Sequence, residues 1–433
     1  MSRIKKRFFE MPYCIVGFHF PHIISYIYHN LIEIILFYMK NIILFLFLVL
    51  GSCNRNNETS SSIIPQPVKA EQQSGSFSIN EKTSIIAENC FADISSILIS
   101  DIEKTTSFKL KEDSTAQSGI IIEKCREQND LGNEGYILDI KKTTVTISAN
   151  QAAGAFYGTR TFIQILSSCN SCNIPCGRIT DKPVMPWRGF MIDVARQFYP
   201  KEVILHLIDA LAMYKINVLH LHLSDDQGWR IEIESLPELT NKGSKANPLF
   251  NDQSSGYYTK QDMREIIQCA ALRNITILPE IDMPGHSRAA ISAYPHLSCF
   301  GGTGKFDKSN PRDGLPFYDP VCPGKETTFK FYEKVIREIA ELFPSEYIHI
   351  GGDETSKTCW KKCKHCQQRI KQEKLADENQ LQNYFATRIQ TIIEANGKKA
   401  MGWDELFETG APPSFAVMAW REEQWGIEAD AAG

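Results

Sequence analysis

Short apolar runs alternate with helical patterns over the second half of this 433-residue chain. The apolar runs have the length of strands and cover residues 189–194, 217–223, 275–279, 347–350, 399–403 and 415–420. Patterns of helical spacing lie between them at residues 201–214, 260–273, 327–342 and 381–396, and Thr259 is a predicted N-cap. Repeated strand–helix units predict an α/β fold with a parallel sheet, either open or closed into a barrel.

The hundred residues before this repeat have a different pattern. Residues 118–123, 136–140 and 143–148 are predicted strands, and residues 152–166 are a predicted helix. These segments predict a small α+β domain over residues 76–180, with no residues that suggest catalysis, followed by a barrel domain over residues 183–433.

The N-terminal region has the pattern of an export signal. Nine consecutive apolar residues, 42–50, follow Met39-Lys40 and lead into Leu50-Gly51-Ser52-Cys53. The run is too short to span a bilayer, and its ending resembles the bacterial lipoprotein signal, in which Cys53 is lipidated. We therefore predict an exported protein, attached to the cell envelope only through a lipid anchor.

Two further expectations concern the same region. A signal peptide begins close to the initiator, so we predict that translation starts at Met39 and that residues 1–38 are an untranslated upstream extension; the alternative is a genuine upstream membrane segment. Residues 54–75 are rich in Asn, Ser, Gln and Pro, which predicts a flexible linker.

Charge and cysteine content exclude several classes of protein. The chain has 47 basic and 51 acidic residues and no long basic run, so no nucleic-acid partner is predicted. Thirteen cysteines are too sparse for a disulfide-built scaffold. Cys169, Cys172 and Cys176 have no fourth metal ligand nearby, so thiols or disulfides are favoured there. A second cluster has four potential ligands at cramped spacing and leaves a structural metal open: Cys359, Cys363, His365 and Cys366.

Polar residues follow the predicted strands one after another. Parallel barrel strands present these positions on one face, where active sites lie, so the sequence predicts a barrel active site there. The residues are Asp225, Asp226, Glu280, Asp282, His286, Asp353, Glu354, Asp404, Glu405 and Arg421.

Two chemistries compete for that site. Asp353 and Glu354 end a strand as paired acids, and the indoles of Trp403 and Trp420 at strand ends suit the apolar faces of sugars, which favours carbohydrate hydrolysis. The alternative is a metal-dependent barrel hydrolase that uses the His220-Leu221-His222 pair. Later strands supply few further histidines, so the carboxylate hypothesis is preferred, with no metal and no cofactor.

Six motifs in this order resemble the family-20 glycoside hydrolases, the β-N-acetylhexosaminidases. They are WRGFMIDVAR (187–196), HLHLSDDQGWR (220–230), PEIDMPGH (279–286), GGDE (351–354), GWDE (402–405) and VMAWR (417–421). The resemblance implies a (β/α)₈ TIM barrel after a small non-catalytic domain. It also implies a glycan substrate with a terminal β-linked N-acetylhexosamine, while oligomeric state stays open.

The resemblance further implies a retaining, substrate-assisted mechanism through an oxazolinium ion. Glu354 would be the general acid and base, and Asp353 would orient the acetamido group. Arg188 would bind sugar hydroxyls, and His286 would be paired with Asp225 or its neighbour Asp226 near the leaving group. Trp403 and Trp420 would wall the pocket.

The chain departs from the family pattern after its sixth barrel strand. Family members continue through a seventh and an eighth strand that supply further pocket residues. We therefore expect the last two βα units to be missing, and a truncated, inactive carbohydrate-binding remnant is the alternative function.

Overall fold

The computed structural model describes residues 63–113, 115–116, 118–126, 130–169, 171–245, 255–301, 320–408, 410 and 414–432. The predicted upstream extension, the signal peptide, Cys53 and linker residues 54–62 lie outside the described residues. Within the described part, the helices are too short or too polar to cross a membrane.

The first layer is a seven-stranded mixed sheet with two long helices. Its strand order is β1-β7-β5-β6-β4-β2-β3, antiparallel from β1 to β6 and parallel from β6 to β3. The strands are β1 (Lys69–Ser78), β2 (Ser84–Ala87), β3 (Lys111–Glu112), β4 (Gly119–Lys124), β5 (Tyr136–Ile140), β6 (Thr144–Ala149) and β7 (Asn173–Asp181). The helices are α1 (Ala92–Thr106) and α2 (Ala152–Ser168), with a 3₁₀ turn at Asn89–Phe91.

Strand β1 corrects the predicted linker. Residues from Lys69 onward are not a flexible tether but pair antiparallel with β7 at the edge of the sheet. Nine of the ten residues of β1 are exposed and only Phe77 is buried. The polar composition that suggested a linker is compatible with an edge strand, because backbone hydrogen bonds rather than apolar side chains hold it.

The second layer is a six-stranded parallel sheet in which each strand lies next to its neighbour in sequence. The strands are β8 (Gly189–Asp193), β9 (Val218–His222), β10 (Thr276–Glu280), β11 (Tyr347–His349), β12 (Lys399–Trp403) and β13 (Ala416–Met418). The helices are α3 (Lys201–Met213), α4 (Glu238–Asn241), α5 (Lys260–Ala271), α6 (Arg288–Ala293), α7 (Glu326–Leu342), α8 (Thr358–Lys362), α9 (Lys364–Gln372), α10 (Glu378–Ala395), α11 (Asp404–Glu408) and α12 (Glu423–Ala432), with a 3₁₀ turn at Pro295–Leu297.

These βα units confirm the predicted α/β fold. Helix α5 has Thr259 as its N-cap. The Thr259 hydroxyl accepts the backbone N–H of Asp262, and the Asp262 carboxylate accepts that of Thr259, a reciprocal capping box. Apolar side chains of α7 and α10, such as Phe329 and Phe385, pack against each other outside the sheet.

Polar contacts join the two layers, and those of Lys215 are buried. The Lys215 ammonium, after α3, donates to Asp181 at the end of β7 and to the Tyr136 hydroxyl on β5, both at 2.9 Å. Arg188, just before β8, forms an ion pair with Glu134 at 2.8 Å. These contacts lie at the amino-terminal end of the parallel strands.

Candidate active site

The parallel register brings four polar residues side by side at the carboxyl ends of the strands. Asp193 lies opposite His222, His222 opposite Glu280, and Glu280 opposite His349. Strand ends on this face are where the fold gathers functional groups.

Glu280 is the buried anion at the base of this cluster. Its carboxylate lies 2.7 Å from His222 Nδ1, 2.9 Å from His220 Nε2 and 3.2 Å from His349 Nδ1, and it accepts the indole N–H of Trp403 at 3.1 Å. Burial alone would raise the pKa of Glu280, but its interactions with His222 and the other two histidines lower it well below its usual value. Glu280 is therefore a buried, negatively charged residue at the bottom of the site, in contact with three histidines.

A chain of polar contacts runs from the bottom of the site to the paired acids. His222 Nε2 lies 2.8 Å from Asp225 Oδ2, and Asp225 Oδ1 lies 3.1 Å from His286 Nδ1. The other ring nitrogen of His286 faces Asp353 at 3.4 Å and Glu354 at 3.6 Å. The imidazole of His286 is thus oriented by one carboxylate and directed at two others.

Two buried carboxylates, Asp282 and Asp225, affect the pKa of the His286 imidazole. Burial would lower the pKa of His286, but Asp282 and Asp225 together raise it above its usual value. Burial and the nearby Asp353 raise the pKa of Asp282 well above its usual value, and the positive charge of His286 opposes that rise. His286 is therefore surrounded by carboxylates that favour its protonated form.

The turn after β11 contains two consecutive glycines with positive φ. Gly351 and Gly352 have φ of 66° and 97°, and a Cβ on Gly351 would lie 1.9 Å from Asp282 Oδ1. Glu354 and His286 also have positive φ, 43° and 45°, although neither is glycine. Such strained residues cluster at functional sites, and here they point the paired acids and the histidine at one another.

The paired acids have different environments. The Asp353 side chain is 15% exposed, and its Oδ1 is buried without a hydrogen-bond partner among the described residues. The Glu354 side chain is 62% exposed. One acid therefore offers a buried acceptor that needs a donor, and the other faces the open cleft.

Asp225, not Asp226, is the partner of His286. Asp226 Oδ2 lies 4.0 Å from His286 Nδ1, and its Oδ1 instead accepts the backbone N–H of Arg288. Burial, together with the neighbouring Asp225, raises the pKa of Asp226 to about 7.

We expect Asp226→Asn to change the pH dependence of stability. The pKa of Asp226 is about 7 in the folded chain and about 3.9 when unfolded, so the folded state binds more protons between pH 4 and 7, and wild-type stability falls as pH rises through that window. Asn cannot titrate and keeps the acceptor for Arg288. The stability of the variant relative to wild type should therefore increase by at least about 1 kcal/mol between these pH values and stay level above them. Urea unfolding at pH 4.5 and 7.5 measures this, and a pH-independent difference would contradict it.

Trp403 and Trp420 occupy different depths of the site. The Trp403 ring packs against the His349 ring with centroids 4.5 Å apart, at the end of β12. Trp420, after β13, is 53% exposed, and its indole N–H donates to Glu405 at 3.0 Å. Trp403 thus forms part of the bottom of the site, and Trp420 presents an open aromatic face.

The structure contradicts the sugar-binding role predicted for Arg188. This residue precedes β8 and lies at the opposite end of the sheet from Glu354. Its guanidinium donates to the carbonyls of Lys215 and Met185 and pairs with Glu134. The prediction failed because the motif contains two arginines at the two ends of one strand, and only the end after the strand faces the site.

The second arginine of that motif, Arg196, is the residue that sequence analysis missed. It follows β8, with its guanidinium 2.6 Å from Asp193 and 2.8 Å from Asp225, and its side chain is 45% exposed. Its position after a strand was the signal that could have found it, since the acids were identified in that way.

Both halves of the chain match one family. Residues 185–433 match the catalytic domain of glycosyl hydrolase family 20, and residues 60–182 match domain 2 of that family. The chain belongs to glycosyl hydrolase family 20. The (β/α)-barrel class and the preceding small domain are therefore those of this family.

Two curated relatives of this family-20 chain have the same name. It is 40% identical over 394 residues to the "Beta-hexosaminidase" of Porphyromonas gingivalis, a match that covers 85% of this chain and 48% of that protein. It is 34% identical over 339 residues to the "Beta-hexosaminidase" of Akkermansia muciniphila, over 73% of this chain and 68% of that protein. The chain spans only about half the length of the first of these relatives.

Solved structures of family-20 enzymes share the fold. An exo β-N-acetylglucosaminidase from Vibrio harveyi in complex with N-acetylglucosamine superposes with a TM-score of 0.78 at 29% identity, over 86% of this chain and 60% of that one. A β-N-acetylhexosaminidase from Bacteroides fragilis gives 0.74 at 30% identity, over 86% and 73%.

The metal-hydrolase alternative does not fit the family-20 site. A catalytic metal needs an open coordination position. His220, Glu280 and His349 could supply three ligands, but all three are at most 3% exposed and lie against Trp403. A metal held by these three residues could not meet a substrate. In the structure, His220 and His222 both contact the Glu280 carboxylate.

Proposed function

We propose that this chain is a β-N-acetylhexosaminidase that removes terminal β-linked N-acetylglucosamine or N-acetylgalactosamine from glycans. The observation that carries the proposal is the buried Oδ1 of Asp353, which has no hydrogen-bond partner among the described residues and lies beside the exposed Glu354. An acetamido N–H is the donor that this oxygen needs, and a glycosidic oxygen is the acceptor that suits a protonated Glu354. The names of the relatives support the same substrate class.

In the first step, protonated Glu354 donates its proton to the glycosidic oxygen as the C1–oxygen bond breaks. The substrate's acetamido oxygen forms a bond to C1 from the opposite face, which gives an oxazolinium ion. Asp353 accepts the acetamido N–H and balances the developing positive charge. No glycosyl–enzyme bond forms, which distinguishes this route from the usual two-carboxylate scheme.

In the second step, the Glu354 carboxylate takes a proton from water, whose oxygen attacks C1 and reopens the oxazolinium ring. Two inversions at C1 leave the released sugar in the β configuration. His286, held by Asp225, lies 3.6 Å from Glu354, where its positive charge stabilises the carboxylate between the two steps.

Arg196 is the proposed ligand of the sugar hydroxyls. We expect Arg196→Ala to lower kcat/KM about 10- to 100-fold, because each charge-assisted hydrogen bond contributes about 1.5–3 kcal/mol. Arg188→Ala is the matched control. It breaks the ion pair with Glu134 and should lower the melting temperature while kcat/KM stays within about twofold. Steady-state kinetics and thermal unfolding of both variants check this, and the reverse pattern would restore the role first predicted for Arg188.

Substrate comparison tests the function itself. We expect nitrophenol release from nitrophenyl N-acetyl-β-glucosaminide or its galactosaminide, and at least about 100-fold slower release from nitrophenyl β-glucoside, which lacks the acetamido nucleophile. Equal rates on the two kinds of glycoside would contradict substrate assistance. Stable binding of N-acetylglucosamine with no release from any glycoside would favour a carbohydrate-binding role instead.

Export and a lipid anchor at Cys53 are the remaining parts of the proposal. They rest on the sequence pattern of residues 39–53. An enzyme held at the cell envelope in this way would meet glycans outside the cytoplasm.

A further inference from the structure

Four cysteines from distant parts of the chain meet in one buried cluster. Cys299 follows the 3₁₀ turn Pro295–Leu297, Cys322 precedes α7, Cys363 lies between α8 and α9, and Cys366 is in the first turn of α9. All four are at most 8% exposed, and their sulfurs all lie within 4.8 Å of one another.

The separations of the sulfurs match a tetrahedral metal site. Cys322 Sγ lies 3.5 Å from Cys366 Sγ and 3.6 Å from Cys363 Sγ, and Cys299 Sγ lies 3.7 Å from Cys366 Sγ. Zinc–sulfur bonds of about 2.3 Å in a tetrahedron place the sulfurs about 3.8 Å apart. A disulfide would require about 2.05 Å.

We propose that Cys299, Cys322, Cys363 and Cys366 bind one structural zinc ion as four thiolates. The set is complete, since four sulfurs close a zinc site and leave no position for substrate. This site is separate from the proposed glycoside hydrolysis and supplies no group to it.

The residues around the cluster allow the segment that follows Cys322 to pack closely against the start of α9, which carries Cys366. A Cβ on Gly324 would lie 2.2–2.4 Å from the backbone of His365 and Cys366, so only glycine lets the segment after Cys322 approach the start of α9 this closely. Trp360 closes the apolar shell, and its indole N–H donates to the carbonyl of Val321 at 3.0 Å.

The site joins the two segments that carry the catalytic groups. Cys363 and Cys366 follow the turn with Glu354, and Cys299 and Cys322 follow the segment with His286. The backbone N–H of Val321 donates to the carbonyl of Pro284, two residues before His286. Zinc would therefore fix the position of one segment relative to the other.

The structure changes the composition of the metal cluster suggested by sequence. His365 is exposed, and Cys359 is buried in the same apolar cluster but is not one of the four sulfurs that meet. The partners come instead from Cys299 and Cys322, more than forty residues earlier. Sequence spacing alone could not identify ligands so far apart.

Metal analysis of the full chain tests the proposal directly. We expect one zinc per chain by inductively coupled plasma mass spectrometry, and tetrahedral thiolate absorption when cobalt replaces zinc. Alkylation after denaturation with a chelator, without reductant, should label all four cysteines. A metal-free protein whose mass and peptides show disulfides among these four would overturn the proposal, whether or not the protein hydrolyses glycosides.

Cys366→Ser and Cys359→Ser form a matched pair. We expect Cys366→Ser to lose the zinc and Cys359→Ser to keep it, because both change a buried thiol in one cluster but only the first removes a ligand. If Cys366→Ser fails to fold, chelator titration of wild type replaces it: the melting temperature should fall and be restored by zinc but not by magnesium. Retention of zinc in Cys366→Ser, or no effect of a strong chelator, would contradict the site.

Discussion

Glu354→Gln is expected to lower kcat/KM for unactivated N-acetyl-β-hexosaminides by at least about 100-fold. Glutamine keeps the size of the side chain but can neither protonate the departing oxygen nor take a proton from water. For nitrophenyl glycosides, the rate of the first step, cleavage of the glycosidic bond, should fall less, because nitrophenolate leaves without protonation. Kinetics on a disaccharide and on a nitrophenyl glycoside measure both losses.

An exposed acid outside the site provides the control for this change. Glu341 lies on the exposed side of α7, so Glu341→Gln makes the same chemical substitution without touching the cleft. It should leave both rates unchanged. A Glu354→Gln variant within about threefold of wild type on the disaccharide would refute the acid–base role.

Asp353→Asn is expected to lower kcat about 100-fold or more, with a smaller effect on KM. Asn can still accept the acetamido N–H, but it removes the negative charge that balances the oxazolinium ion. The effect should therefore appear where charge develops, in the transition state, rather than in binding.

Separate measurements of kcat and KM decide whether Asp353 balances the charge that develops in the transition state. Asp353 is mostly buried beside His286, so a merely structural loss would instead lower the melting temperature and the fraction of active protein. Active-site titration and thermal unfolding separate the two causes. A rise in KM with unchanged kcat would contradict the assignment of Asp353 to the developing charge.

The sequence predicted the barrel half well because each strand there is a short, buried, apolar run. The predicted strand at 399–403 is β12 as observed, and the N-cap at Thr259 is present. It missed β1, because an edge strand exposed on both faces has no apolar alternation, and it missed α1 at Ala92–Thr106, whose buried positions are few.

The residues of the candidate site were also predicted only in part. Asp225, His286, Asp353 and Glu354 were predicted from positions after strands, and the structure brings them together. The choice between Asp225 and Asp226 required side-chain directions. The choice between Arg188 and Arg196 required knowing which end of β8 faces the site, and the four-cysteine cluster required contacts between segments far apart in sequence.

The configuration of the first sugar released tests the proposed mechanism most directly. Proton NMR during hydrolysis of nitrophenyl N-acetyl-β-glucosaminide by the wild-type chain resolves the two anomers before they interconvert. Retaining, acetamido-assisted hydrolysis at Glu354 and Asp353 predicts that the β-anomer appears first. Initial release of the α-anomer, or no release by the folded chain, would contradict it.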